Sequence, residues 1–292
     1  MFLFKLKTAG FIPVAGLMMT PALRAPAQAT NGVPPDKSDY NLFNPVPENL
    51  MRDSSPDRPD QTESACTVHT GHYRLEMDFA NFTYDESDGT TTKARDVGDF
   101  NLKAGLLNNV DVQLIYDSYL KMQTQDSSGN STAQSGFGDL TTRLKVNLWG
   151  DDGGKTAFAL LPDVTFPTGT DNLGNSAVEG GMIFPLAVSR PHDFGLSLEA
   201  AASYMKNHND GGYDEEFIAS ASVDHQIFGK VRGFVEFFSN LTTESHTDWM
   251  GTVDTGLEYL MTRNIQLDYD CYFGVRPAAP DFDPFAGIIV RS

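Results

Sequence analysis

The chain has 292 residues, 21 Lys and Arg against 39 Asp and Glu, a formal charge of −18 and two Cys. The acidity argues against a nucleic-acid binder, which needs a basic footprint to meet phosphates, and two Cys exclude a disulfide scaffold or a Cys-rich zinc module. Hydrophobic residues make up 40 %, enough for a folded body. No stretch after residue 30 reaches 18 consecutive apolar residues, so no transmembrane helix is predicted. An acidic chain without such a helix normally reads as soluble, but the strand pattern argues otherwise.

Lys5 and Lys7 precede a mostly apolar run from Ala9 to Leu23, and Ala27-Gln28-Ala29 reads as a small-residue cleavage site. Residues 1–29 are therefore predicted to be a signal peptide cleaved near Ala29. Export places Cys66 and Cys271 in an oxidising compartment, yet they are far apart in sequence and need not pair. Residues 30–68 gather Pro34, Pro35, Pro45, Pro47, Pro56 and Pro59 and show no alternation. They read as a Pro-rich periplasmic leader, or as a plug folded into the domain that follows.

From residue 69 to 292 the chain alternates. Tyr73, Leu75, Met77 and Phe79 are separated by Arg74, Glu76 and Asp78, giving one oily and one charged face. Val110 to Tyr116, Leu140 to Leu148, Phe194 to Ala202, Val253 to Tyr259 and Ile265 to Phe273 repeat the pattern. Twelve strands are predicted, near 70–83, 94–105, 109–122, 137–149, 155–167, 178–188, 193–206, 215–227, 230–240, 248–260, 263–275 and 283–292. The connections alternate as well. Long polar stretches such as 84–93, 123–135 and 168–177 take turns with short ones such as Asn108-Asn109 and Arg263-Asn264.

A soluble β-sandwich also alternates in hydrophobicity. Strand length decides against it: the predicted strands run ten to fourteen residues, against about five or six in soluble sheets, and a tilted strand needs roughly 9–11 to cross a bilayer. The predicted fold is all-β, a closed antiparallel transmembrane β-barrel with short periplasmic turns and longer extracellular loops. Closure follows from lipid: every backbone N–H and C=O must be paired, and only a closed sheet has no edge. The last strand, Phe285 to Val290, closes on Arg291-Ser292 rather than on the usual aromatic residue.

Two leader segments, Asn44-Pro45-Val46-Pro47-Glu48-Asn49-Leu50-Met51-Arg52 and Asp57-Arg58-Pro59-Asp60-Gln61-Thr62-Glu63-Ser64, carry a resemblance. So do Gly71 to Glu76, Gly136-Phe137-Gly138-Asp139-Leu140 and Lys145 to Gly150. Together they resemble the outer-membrane transporter family named for the meta-pathway of phenol degradation, over about residues 44–292. The resemblance implies a barrel in the outer membrane of a Gram-negative bacterium that takes up aromatic or other small organic molecules. Its partners would be membrane lipid and lipopolysaccharide, the barrel-assembly machinery and a small-molecule solute, with no nucleic acid. It brings no cofactor, no metal and no catalytic residues.

Parity assigns the lumen. Lys103, Lys121, Arg143 and Lys145 face inward on one arc, with Asp111, Asp117 and Asp139 among them. Glu199, Asp224, Glu236, Asp254, Glu258, Asp268 and Asp270 face inward on the other, with Arg232 nearly alone. Opposed arcs would set up a transverse field that orients polar solutes. The same charges can instead form salt bridges that fill a closed barrel. A folded-in leader would bring Arg52, Arg58 and Asp60 to the acidic arc.

Three readings follow: an outer-membrane channel for small organic molecules, a structural or surface-interaction barrel with a blocked lumen, and an outer-membrane lipid hydrolase. The hydrolase is disfavoured because Ser245-His246 is the one close Ser–His pair and sequence neighbours point apart in an extended chain. His69 with His72, and His208 with Asp210 and Asp214, are weak metal signals.

Overall fold

The structure is a computed structural model and describes residues 36–170, 173–189, 194–207, 211–244 and 249–292. The predicted signal peptide lies outside the described residues.

Fifteen strands form one antiparallel sheet: β1 (Tyr73–Ser87), β2 (Thr90–Asp96), β3 (Phe100–Leu107), β4 (Val110–Tyr116), β5 (Leu120–Gln125), β6 (Ser131–Gly136), β7 (Leu140–Trp149), β8 (Thr156–Phe166), β9 (Glu179–Ser189), β10 (Phe194–Lys206), β11 (Tyr213–Phe228), β12 (Val231–Thr242), β13 (Met250–Leu260), β14 (Ile265–Gly274) and β15 (Phe282–Arg291). β15 pairs with β1, so the sheet closes. Three short strands prolong wall strands instead of adding to the circumference. β2 continues β3, β5 continues β4, and β6 continues β7, and their pairing runs β1–β2–β5–β6 above the ring. The ring itself has twelve staves, each with its neighbours hydrogen-bonded on both sides.

The wall is inside-out relative to a soluble core. On β14, Tyr269 is 63 % exposed while Asp270 beside it is 1 % exposed. On β13, Val253, Leu257 and Tyr259 are exposed and Asp254 is buried. Aromatic residues ring both ends of the outer face: Tyr73, Trp149, Phe194, Phe228 and Tyr259 near the short turns, and Phe79, Phe137, Phe166, Tyr204 and Phe217 near the long connections. An apolar outer band between two aromatic girdles, on a sheet with no open edge, is stable in a bilayer and not in water.

Two stretches read as long loops are strand. Residues 84–93 hold the ends of β1 and β2 around a two-residue turn, Asp88-Gly89, both at positive φ (51° and 76°). That is the hairpin turn an Asp-Gly pair favours, and the polar Thr90, Thr91 and Thr92 pair as strand. Likewise 123–135 contains half of β5 and most of β6. The hairpins therefore stand beyond the bilayer as a four-stranded flap.

The breaks that separate flap from wall lie at one level: Val97–Asp99, Asp117–Tyr119 and Phe137–Asp139. They remain hydrogen-bonded across, Val97 N–H to Tyr119 O at 2.9 Å and Gly138 N–H to Asp117 O at 2.9 Å. β1 accommodates the same level with a bulge between Asp78 and Ala80. The odd final residue also has a role. Arg291 turns inward, is buried, and donates to Asn264 Oδ1 and to Arg52 O (3.0 Å), tying the last strand to the chain entering the lumen.

A tag inserted at Ser128, between β5 and β6, and one at Gly153, between β7 and β8, should label from opposite sides of the membrane. Labelling of both from one side of sealed vesicles would contradict this architecture.

Candidate functional site: the charged lumen

The segment before β1 crosses the inside of the barrel. It is irregular backbone, with one 3-10 turn at Glu48–Leu50 and two isolated bridges, Asn41 with Asn44 and Thr70 with Gly105. Irregular backbone at membrane depth needs a partner for each buried N–H, because neither lipid nor a ladder supplies one. The wall carboxylates are those partners. Glu236 accepts the N–H groups of Gln61 (2.8 Å) and Thr62 (2.9 Å). Glu199 accepts that of Glu63 (2.7 Å) and Asp111 that of Val68 (2.8 Å). Asp151, in the β7–β8 turn, accepts that of Thr67 (3.0 Å), and Glu76 that of Asp57 (3.2 Å).

Charge matching fixes the register. Asp57 receives Lys145 Nζ at 2.6 Å and also binds Lys103, which in turn reaches Glu76 at 2.6 Å. Burial pushes the Asp57 carboxyl up, but the two ammonium groups outweigh it and hold it well below the usual carboxylate range. Arg58 spans to Asp268 (2.8 Å) and Asp78 (2.7 Å) and stacks over the Phe285 ring at 5.2 Å. Gly287 leaves the room: a Cβ there would lie 2.4 Å from the Arg58 guanidinium. Glu63 pairs with Arg143, Gln61 donates to Asp254 (2.8 Å), and Tyr272 donates to Pro59 O (2.8 Å). An apolar seat lies on β8, where Ala157, Ala159 and Leu161 receive Ala65 and Cys66. Cys66 and Cys271 are both free thiols.

Eleven of the twelve residues assigned to the lumen by parity face it. Besides those above, Asp224 pairs with Arg232, Glu258 accepts from Gln266 (3.1 Å), and neither oxygen of Asp270 has a hydrogen-bond partner among the described residues. Lys121 is the exception. It sits opposite Arg95 on the outer face, because the break at Asp117–Tyr119 adds a residue and reverses the parity of β5 against β4. The basic and acidic arcs do not confront each other across an empty lumen; the leader lies between and carries the complement of each. Of the three leader residues expected at the acidic arc, Arg58 is there. Arg52 instead meets Asp152 (3.1 Å) and Asp151 (3.2 Å) at the short-turn rim. Asp60 faces acids: burial, with Glu236 adding, holds its carboxyl well above the usual range.

Parity could not find Asp57 or Glu63 as partners, since the leader does not alternate; Glu76 was on the charged face of the first strand but was not singled out. The available signal was the charged run Asp57–Glu63 in a segment otherwise rich in Pro. His69 and His72 bind no common group: their rings are 6.4 Å apart. His69 Nε2 accepts the Arg52 N–H at 2.7 Å, and His72 lies within 2.9 Å of the Ser292 and Val46 carbonyls. Among the described residues no group of three His, Cys, Asp or Glu is placed to hold a metal. Ser245, His246, His208 and Asp210 lie outside the described residues.

Comparison with known proteins now decides the family. The model of the family described as "Putative MetA-pathway of phenol degradation" matches residues 56–291. The chain belongs to this family. Among solved structures, an outer membrane channel from Pseudomonas putida F1 is 14 % identical with a TM-score of 0.55, covering 80 % of this chain and 99 % of that one. The NanC porin is 9 % identical (TM-score 0.48, 75 % and 99 % covered). The transport unit of the autotransporter AIDA-I from Escherichia coli is 11 % identical (0.48, 82 % and 93 %). The first shares the barrel fold with this member of the phenol-degradation family. No curated protein matches the chain.

Two predictions follow for the lumen. Asp57→Asn leaves Lys103 and Lys145 buried without their shared counter-charge, which should weaken leader docking by about 3–5 kcal/mol. Hydrogen exchange should show lost protection at Gln61–Val68, with the wall ladder and heat-modifiable gel mobility unchanged. His69 should make docking sensitive to acid. Burial and the Arg52 charge lower its pKa from 6.5 to about 3. The undocked state then binds the extra proton between those values. Docking is fully supported above about pH 6.5 and loses up to about 1.4 kcal/mol per pH unit below it, until about pH 3. The slope difference between wild type and His69→Gln, read by exchange at Arg52 and Thr67, isolates this group from the carboxylates; equal slopes would refute it.

Proposed function

We propose that this protein is a channel of the bacterial outer membrane for uptake of small organic molecules, aromatic ones among them, and that the described conformation is its closed state. One observation carries the reading. The leader fills the lumen yet adds no strand to the wall. Among the described residues its only sheet-like link to the barrel is the Thr70–Gly105 bridge at its tethered end. It can leave without opening the cylinder. A barrel built as a permanent solid would be expected to pack side chain against side chain. Here the wall carries charges that need the leader and that water would serve equally well. Family membership supports the solute class, and the barrel fold shared with a channel supports passage.

Removal of residues 30–68 should turn a protein of low conductance in planar bilayers into an open pore. The freed wall has more carboxylates than cations, so that pore should prefer cations, weakly at physiological salt because screening acts over about 8–10 Å. Asp268→Asn with Asp270→Asn should then reduce the preference, and liposomes holding the leader-free protein should admit phenol-sized solutes. No conductance with or without the leader would favour the second reading, a barrel whose filled lumen is permanent.

A further inference from the structure

The flap carries a cluster of cations on its outward face that the lumen does not explain. Arg95 on β2 and Lys121 on β5 are directly opposite in register, on the same face as Phe82. Lys93 stands two pairs further along, opposite Gln123 and beside Tyr84. All three are exposed. Among the described residues the lumen cations Lys103, Arg143 and Lys145 all have carboxylate partners, whereas none of these three lies within 4 Å of one. Like charges directly opposite on neighbouring strands repel, so an acidic chain of net charge −18 keeps an unfavourable pair here.

Their level on the barrel identifies what they meet. Going up the outer face from the bilayer, exposed Leu102 comes first, then Val97, Tyr119 and Phe137 at the breaks, then Arg95 and Lys121, then Lys93. Arg95 is about 7 Å above Val97 at the rise of a strand. Two of the cations lie over aromatic rings: Arg95 over Phe82 (5.9 Å) and Lys93 over Tyr84 (5.7 Å), and Tyr84 stacks on Phe282 (5.5 Å). An anion just above the acyl region would relieve the Arg95–Lys121 repulsion and satisfy all three donors.

We propose that Lys93, Arg95 and Lys121 form a binding face for the phosphates of an outer-leaflet glycolipid, the lipid A portion of lipopolysaccharide, seated against the barrel with its acyl chains on Val97, Tyr119 and Phe137. The assignment rests on the outer-membrane reading above, since that leaflet presents phosphates at this height on the long-connection side. Aromatic girdles fix the depth, and the cations supply the charge complement.

The test uses the full chain in detergent with purified lipid A, followed by native mass spectrometry. The triple variant Lys93→Gln, Arg95→Gln, Lys121→Gln should bind lipid A about a hundredfold more weakly, close to fivefold per cation removed. Lys155→Gln with Lys230→Gln, at the other rim, should bind as wild type. Lipid A stripped of both phosphates should bind wild type and triple variant alike and weakly. Unchanged lipid A binding by the triple variant overturns the proposal, as does equally tight binding of the stripped lipid. Competition by inorganic phosphate at matched concentration overturns it as well, since that marks a free-anion site. Unchanged heat-modifiable mobility of the triple variant excludes misfolding. Conductance of the leader-free pore is a separate readout, so loss of the channel reading and loss of this one appear in different experiments.

Discussion

Irregular backbone inside a membrane barrel must find a partner for each buried amide, and this requirement organises the lumen. Gln61, Thr62, Glu63, Thr67 and Val68 present N–H groups with no ladder to join, and Glu236, Glu199, Asp151 and Asp111 accept them. Carboxylates suit the task because each offers two oxygens and charge-assisted bonds are roughly twice as strong as neutral ones. Much of the acidic excess on the wall is thus tied to the leader. The cations then follow, since carboxylates and ammonium groups out of water persist only when paired: Lys103 and Lys145 need Asp57, and Arg58 answers Asp268 and Asp78.

The same requirement explains where the chain is spare. Gly287 leaves space for the Arg58 guanidinium, and Gly105 leaves it for the His69 carbonyl, which a Cβ there would overlap. Larger side chains at either position would displace the segment. The apolar seat on β8 uses Ala157 and Ala159 for the same reason.

The wall was legible because alternation records which face is wet. Tyr269 beside Asp270 and Leu257 beside Glu258 need no partner to be read, and strand length set the bilayer against a sandwich. Two things were lost. Period-two reasoning has no memory across a break, so Lys121 was carried inward through Asp117–Tyr119 when the extra residue turns it out. Composition hid the flap, since Thr90, Thr91 and Thr92 look like loop although the Asp88-Gly89 pair is a hairpin signal. The wall side of the leader's contacts was legible from parity, and so was Arg58 as a partner of the acidic arc; which leader residue meets which wall residue was not. A segment with no periodicity has no parity, and the 210 residues between Arg58 and Asp268 are bridged only by closure of the ring.

In the channel reading proposed above, closure and opening are two states of one charge arrangement. With the leader in place, Lys103 and Lys145 pair with Asp57, Arg143 with Glu63 and Asp268 with Arg58, so the basic arc and part of the acidic arc are compensated inside the lumen. With the leader out, the wall keeps Lys103, Arg143 and Lys145 on β3 and β7 and the acids of β10 to β14 on the far side. The transverse field expected from the wall sequence alone belongs to that second state. Water would then solvate both arcs, which lowers the cost of separating the pairs well below that of breaking them in a dry interior. On that reading, entry of water along the leader is the step on which release depends, and the half-buried Asp96, Asp99 and Asp117, at the level of the strand breaks, stand on the side from which it would begin.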